Sequence, residues 1–373
     1  METSAYLNMR IAEVCLNSSL GGLELYYFWC CRYFKTTKHE LTAITVPQSR
    51  LEQLLKDENI QPTVIAKSGI FGSVRAAYKL ARVFEQKNID VVHVHFAKDL
   101  PIVALAKTLS RQPVRLVHSR QMEMPAHKKD PYHRWVYSQV DHLLCVTEKL
   151  TREVRDRVPL ASEKISRLYY GVPKPSVNLE AQKAFLEKFP SPKLKVAMFS
   201  RLEESKGQWR LLEALHLLKN QGLDFQIYFF GHFMGGDGYE EKLKALIEKH
   251  GVTSSVSVYW CGFQKNPGEL MPCFDLILLP SDQETFGLVL IEAMAAGVAI
   301  MGSNTGGVPE IIEDGVNGFT FTPNDIKDLS EKIKTILTDT QLRKTFITAG
   351  LLKYEKHFRA DQHFSRLEEI LKN

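Results

Sequence analysis

Two glutamates stand eight residues apart in Ser281-Asp-Gln-Glu-Thr-Phe-Gly-Leu-Val-Leu-Ile-Glu292, with a Phe-Gly-Leu step between them. That step reads as the start of a helix, and the spacing is a little over two helical turns. Glu284 and Glu292 can therefore look towards one side of the helix start. The backbone N–H groups of Phe286, Gly287 and Leu288 would point out of that end, where phosphates and hydroxyls bind readily. Acceptors beside donors suit a ligand carrying both hydroxyls and a diphosphate, as a nucleotide sugar does.

Two further motifs supply what the glutamates lack. Phe199-Ser-Arg-Leu-Glu-Glu-Ser-Lys-Gly207 sets Arg201 and Lys206 between a strand end and a Gly turn, a placement in which cations grip a diphosphate. Thr305-Gly-Gly-Val-Pro-Glu310 follows another strand, and its paired glycines, Gly306 and Gly307, let backbone N–H groups approach an anion. Each motif alone has an ordinary reading as surface charge or turn. Together they describe one anion pocket.

These residues need a scaffold that brings strand ends together. Apolar runs predict strands over 9–16, 41–46, 91–95, 115–118 and 142–146, with helical stretches between several of them, the first over about 23–34. A second series predicts strands over 195–199, 225–230, 256–260, 276–279 and 299–302. Short apolar strands alternating with helices imply parallel sheets covered on both faces. The expected fold is α/β: two Rossmann-like doubly wound domains facing a cleft, with ligands beyond the carboxyl ends of the strands. The expected division is 1–172, a proline-rich linker at 173–193 that holds a helix, 194–355, and a C-terminal helix at 356–373 packing back on the first domain. Residues 1–8 read as a loose leader. No Gly-x-Gly-x-x-Gly follows the first strand, which argues against a dehydrogenase.

With 373 residues the chain has room for two cores. No apolar run is long enough to span a membrane, and the N-terminus lacks a signal-peptide core. A cytoplasmic protein is expected, or one held peripherally on the inner face of the cytoplasmic membrane. The six cysteines show no Cys-x-x-Cys spacing and read as buried thiols. Charge is uneven: residues 1–180 carry 26 Lys and Arg against 18 Asp and Glu, and residues 181–373 carry 22 against 25. The first half is thus the one suited to an anionic partner.

The order Gly-Gly loop, Arg-Leu-x₃-Lys-Gly, Glu-x-Phe-Gly-x₄-Glu and Thr-Gly-Gly-x-Pro-Glu resembles the family 4 retaining glycosyltransferases of GT-B fold. The resemblance covers the chain after residue 8 and is strongest over 196–320. It implies that the second domain binds a nucleotide sugar, with Arg201 and Lys206 on the diphosphate, Glu284 on the sugar hydroxyls and Glu292 on the ribose. It also implies that Gly21 and Gly22 close over the diphosphate from the first domain, and that His118 touches the donor sugar near the reacting carbon. Phe286, Gly287, Leu288, Thr305, Gly306 and Gly307 complete the donor site. No metal or other cofactor is implied, because Arg, Lys and helix N–H groups meet the leaving diphosphate. One departure stands out: Tyr170-Gly-Val-Pro173 replaces the Asn-Gly-Val of many relatives.

The donor is expected to be a UDP-, GDP- or ADP-sugar, with the base chosen by loops at 231–238 and 262–267. For the acceptor, the run from His118 to Trp135 is dense in cations. Arg120, Lys128 and Lys129, with His95 at the cleft edge, form a candidate site for an anionic glycan or lipid-linked acceptor. That chemistry suits bacterial lipopolysaccharide or surface-polysaccharide synthesis; no nucleic acid is expected as a partner. Over 72–87, Val74, Ala77, Ala81 and Phe84 make one helical stripe and Arg75, Lys79 and Arg82 another, the pattern of a helix that docks on an anionic membrane. The rival readings are a nucleotide-sugar 2-epimerase of the same architecture and a non-catalytic nucleotide-sugar-binding protein.

Overall fold

A computed structural model describes residues 8–19, 21–223, 225–233, 238–251 and 258–373. Most of the expected leader, part of the 231–238 loop and the first two residues of the 256–260 strand lie outside the described residues. The chain forms two compact units, Met1–Tyr169 with His363–Asn373, and Tyr170–Gln362.

The first unit is built on a seven-stranded sheet of β1 (Arg10–Cys15), β2 (Glu40–Thr45), β3 (Thr63–Val64), β4 (Val91–Val94), β5 (Arg115–Arg120), β6 (His142–Cys145) and β7 (Ile165–Arg167). Its order is β3-β2-β1-β4-β5-β6-β7, and every pair is parallel. The second unit carries β8 (Lys195–Phe199), β9 (Gln226–Phe230), β10 (Val258–Gly262), β11 (Leu276–Leu279), β12 (Ile300–Ser303) and β13 (Phe319–Phe321) in the order β10-β9-β8-β11-β12-β13, again all parallel. In both sheets the order reverses beside the first strand, the crevice where such sheets place ligands. β3, β7 and β13 are two or three residues long at sheet edges, too short for a periodic signal.

Residues such as Ile11, Ala12, Val14, Ile227 and Phe229 are fully buried, as strands covered on both faces require. The 173–193 segment lies inside the second unit rather than standing as a free linker. Its helix, Leu179–Lys188, seats Phe185 against Tyr228 and Phe274. The helix Ala360–Lys372 returns to the first unit from His363 onward. There His363 Nδ1–H donates to the Tyr169 carbonyl at 2.6 Å, so its Nε2 accepts from Tyr26 Oη–H at 3.0 Å. Phe364 stacks on Tyr33 with centroids 4.5 Å apart.

The stripe expected to dock on a membrane is a core stripe. The helix Gly69–Gln86 buries Ala77, Ala81 and Phe84, leaving only Val74 of that set exposed. No described helix is long and apolar enough to cross a membrane.

Candidate functional site

The second unit gathers three loops at the carboxyl ends of β8, β11 and β12. Gly207 makes the first meeting possible, with φ +74 and a hydrogen where a Cβ would lie 2.2 Å from the Pro280 carbonyl oxygen. Asp282 N–H donates to Ser205 O at 2.8 Å, tying the Lys206 turn to the Glu284 loop. The second meeting needs Gly306 (φ +57), where a Cβ would stand 1.8 Å from the Glu284 carbonyl oxygen. No side chain fits there. Gly307 N–H then donates to that same oxygen at 2.8 Å.

The turns bring Lys206 and Glu284 together, Nζ to Oε2 at 3.0 Å, with both side chains largely shielded. Arg201 stands apart from that pair, exposed and held by Glu203 at 3.1 Å. Both cations remain on the same loop, between β8 and the Gln208–Asn220 helix.

Beyond Glu284 the chain enters the helix Leu288–Ala295 through Gly287, a left-handed N-cap with no side-chain cap. An uncapped start leaves its N–H dipoles available to an anion. Phe286 is buried at 2% exposure, with its ring 5.1 Å from that of Tyr170 in a T-shaped contact. The departure at Tyr170 therefore acts as a wedge behind the Gly287 turn. Glu292 sits on the second turn of this helix. Burial alone, with no cation opposing it, pushes its carboxyl up to about 7. A carboxyl so placed gains from hydroxyl donors that reach it.

Arg210 holds the loops from behind and was not singled out in the sequence. It is 2% exposed and donates from Nη1 to the Pro280 carbonyl at 3.1 Å, from Nη2 to Asp282 Oδ1, and from Nε to Asn324 Oδ1 at 3.2 Å. The available signal was an arginine on the same helical stripe as Ala214 and Leu218, both fully buried. Ser303 Oγ–H adds a bond to Ser281 O at 2.5 Å and meets Thr305 Oγ1 at 3.2 Å.

In the first unit, Gly21 and Gly22 open the helix Gly22–Lys35, fixed by the Glu24 side chain reaching back from the first turn. Glu24 Oε2 accepts from Gly21 N–H at 2.8 Å, while Oε1 accepts from the Asn17 amide at 2.5 Å. Glu24 is thus the rigid element of the glycine loop, another residue not singled out. His118 is fully buried on β5, with Nδ1 3.0 Å from the Val94 carbonyl. A carbonyl only accepts, so Nδ1 carries the proton and Nε2 presents a lone pair. That Nε2 is buried without a partner. Burial first, then the positive Arg120, pushes the ring's pKa down to about 3, so it stays neutral near pH 7.

The acceptor candidates are less well gathered. His95 is a correction: it is 1% exposed, with Nε2 at 2.5 Å from Glu13 Oε2 and its ring against Tyr26 and Tyr27. It has no face for an acceptor. Arg120 spends its guanidinium on the Met122 and Glu123 carbonyls at 2.7 and 2.6 Å, shaping the loop. Lys128 is half-buried and Lys129 exposed on the same loop.

Among the described residues, Glu13, Cys30, His93 and His95 hold the one group of potential metal ligands, their donor atoms within 4.8 Å of one another. Burial pushes the Glu13 carboxyl up, yet the charge and hydrogen bonds of His93 and His95 outweigh it and hold it down at about 2. The 2.5 Å Glu13–His95 contact is a hydrogen bond, too close for two ligands of one tetrahedral ion at roughly 2 Å each. His93 completes it with Ser119 at 2.7 Å. The cluster is a satisfied buried network.

Comparison with known proteins agrees with this architecture. The family model described as Glycosyltransferase Family 4 matches residues 20–174, and that described as Glycosyl transferases group 1 matches residues 180–352. The N-acetyl-alpha-D-glucosaminyl L-malate synthase of Bacillus anthracis is 27% identical over 79% of this chain and 77% of its own length. The amylovoran biosynthesis glycosyltransferase AmsK of Erwinia amylovora is 28% identical over 71% of this chain and 65% of its own. The crystal structure of Anabaena HepE in complex with UDP superposes with a TM-score of 0.85, at 22% identity, over 98% of this chain and all of that one, and shares its fold. With family models matched in order along both halves and the GT-B fold in common, the chain belongs to the family 4 glycosyltransferases and is a glycosyltransferase.

Proposed function

We propose that the enzyme moves a sugar, with retention, from a UDP-, GDP- or ADP-sugar to an anionic glycan or lipid-linked acceptor. The setting is bacterial lipopolysaccharide or surface-polysaccharide synthesis at the inner face of the cytoplasmic membrane. One observation carries the reading. Lys206 and Glu284 are paired at 3.0 Å under the Gly306-Gly307 turn, beside the uncapped helix start at Gly287. The bound UDP of Anabaena HepE and the capsular polysaccharide biosynthesis in the name of the Staphylococcus aureus relative CapM support the donor and pathway.

In this reading Lys206 and Arg201 meet the diphosphate, the Gly287 turn adds N–H donors, Glu284 holds sugar hydroxyls and Glu292 holds the ribose. As the bond from C1 to the diphosphate oxygen breaks, its electron pair leaves with the diphosphate. Fixed cations and N–H dipoles stabilise that growing charge, an effect worth several kcal/mol in a dry site. The acceptor hydroxyl bonds to C1 on the same face and passes its proton to a departing diphosphate oxygen. His118, neutral with Nε2 as acceptor, suits a sugar hydroxyl and not a proton donor. No metal is required where side-chain cations supply the positive charge.

The test measures melting temperature with UDP, GDP and ADP, then nucleotide release from the matching donor sugar. One nucleotide should raise the melting temperature by mass action, and release should depend on an acceptor. Stabilisation by none of the three would overturn the donor assignment. Turnover of the donor to a 2-epimer without nucleotide release would replace transfer with epimerisation.

A further inference from the structure

We propose that Lys67 and Asp99 are positioning residues for the glycine loop, a buried clip that sets its shape for the donor's diphosphate. The inference rests on the reading that Gly21-Gly22 meets that diphosphate. Between the end of β1 at Cys15 and the helix start at Gly22, the chain is held at both ends by carboxylates. Glu24 takes the far end, through Gly21 N–H and the Asn17 amide. Asp99 takes the near end: its Oδ2 accepts from Leu16 N–H at 2.6 Å, across 83 residues of sequence. Asp99 Oδ1 accepts from Lys67 Nζ, which also lies 5.3 Å from the centre of the Phe96 ring. One carboxylate thus joins the segments that follow β1, β3 and β4.

The pair is more than a strand end needs. A lone backbone N–H is satisfied by a neutral acceptor. Asp99 is instead a fully buried carboxylate, and Lys67 is largely shielded. Burial pushes the Asp99 carboxyl up, against the pull of Lys67 and of Leu16 N–H, and the charge of Glu24 adds to the push. Taking two such charges out of water costs about what their attraction returns, so the pair adds little to stability. What it adds is a single geometry. Leu16 N–H and Lys67 Nζ are held on opposite oxygens of one carboxylate, and a loop that slipped would leave a buried charge unmatched. Lys67 also cancels one of two negative charges, Asp99 and Glu24, that would together repel an approaching diphosphate.

The experiment is calorimetric titration of the full chain with UDP against UMP, GDP against GMP and ADP against AMP. The loop's share is the affinity that the second phosphate adds. K67M/D99L removes both charges and the acceptor for Leu16 N–H. It should weaken binding of the preferred diphosphate ~10-fold and leave the monophosphate within about 2-fold of wild type. K67M/D99N keeps a neutral acceptor for Leu16 N–H and should restore the diphosphate affinity. A merely structural pair would move both nucleotides alike. Wild-type diphosphate affinity in K67M/D99L, or equal losses in K67M/D99L and K67M/D99N, would overturn the proposal. If K67M/D99L does not fold, K67M/D99A replaces it with the same expectation. Gly21→Val separates the inference from the reading beneath it, because Gly21 is extended (φ −152) and admits a side chain. Diphosphate affinity lost in Gly21→Val but not in K67M/D99L overturns the positioning role alone. No loss in Gly21→Val overturns the reading of the loop, and the inference with it.

Discussion

Lys206 Nζ lies 3.0 Å from Glu284 Oε2 across 78 residues of sequence, and the contact exists only because two glycine turns let three loops meet. The pair balances charge in the resting protein. A donor carrying both diphosphate and hydroxyls would part it, each side chain exchanging its partner for a group of the ligand. Lys206→Ala and Glu284→Ala should each lower turnover at least ~100-fold, the usual cost of one strong transition-state contact. Steady-state rates of the purified variants measure this. Near wild-type turnover in a folded variant would remove that residue from the chemistry.

Gly306→Ala should destabilise the second unit by at least ~2 kcal/mol, from left-handed strain plus collision with the Glu284 carbonyl. Gly315 is the control, because it has φ +76 but open space where a Cβ would lie. Gly315→Ala should cost only the backbone term of ~1 kcal/mol. Equal losses in urea titrations of the two variants would show that the close approach contributes nothing.

Donor affinity should depend on pH through Glu292. Its carboxyl titrates at about 7, and two ribose hydroxyls would favour the ionised form as acceptor. Binding below pH 7 then requires loss of a proton, so affinity should fall ~10-fold per pH unit there and level off above. Glu292→Gln should flatten the profile. The same raised pKa sits above the ordinary 4.5, so ionisation opposes folding as pH rises between the two values. Glu292→Gln should therefore raise the melting temperature at pH 8 and change it little at pH 4. Calorimetric titration across pH reads the first effect, and thermal melts read the second.

Acid should unfold the first unit steeply. His95, His118 and His363 are buried neutral, with pKa values pushed down to about 4, 3 and 4, mainly by burial. Each binds a proton more readily when unfolded, so stability is whole above 6.5 and is lost as pH falls towards those values. Three such groups give a slope near ~4 kcal/mol per pH unit. Urea midpoints between pH 7 and 4 check this. A slope unchanged by His363→Gln would exclude that ring.

Arg210→Met should cost roughly 1–3 kcal/mol, because it leaves the buried Pro280 carbonyl without its donor and unties Asp282 and Asn324 from the loop. Donor affinity should fall with it, since the Glu284 loop loses its backing. Nucleotide-induced stabilisation is the readout.

What was legible follows from how local each signal is. The longer parallel strands announced themselves as apolar runs, and Glu284, Gly287 and Gly306 lie in short motifs whose spacing carries the meaning. Arg210 was hidden because its three partners are 70 or more residues away along the chain. His95 misled for a related reason. His93 on β4 and His95 just past its end are two residues apart on one extended stretch, but both faces of that sheet are covered, so alternation cannot tell rim from interior. Their partner, Glu13, arrives from β1, 80 residues earlier. The apolar stripe of the Gly69–Gln86 helix was visible, but periodicity alone did not say which side met the sheet.

The return of residues 363–373 to the first unit gives the chain an order of assembly. The second unit is one continuous stretch, so synthesis supplies all of it before the strip that completes the first unit exists. Until then Tyr26 and Tyr33 lack the His363 and Phe364 that cover them. The later-made unit can thus close first, while the earlier one waits half-clad, a natural client for chaperones that bind exposed aromatic surface.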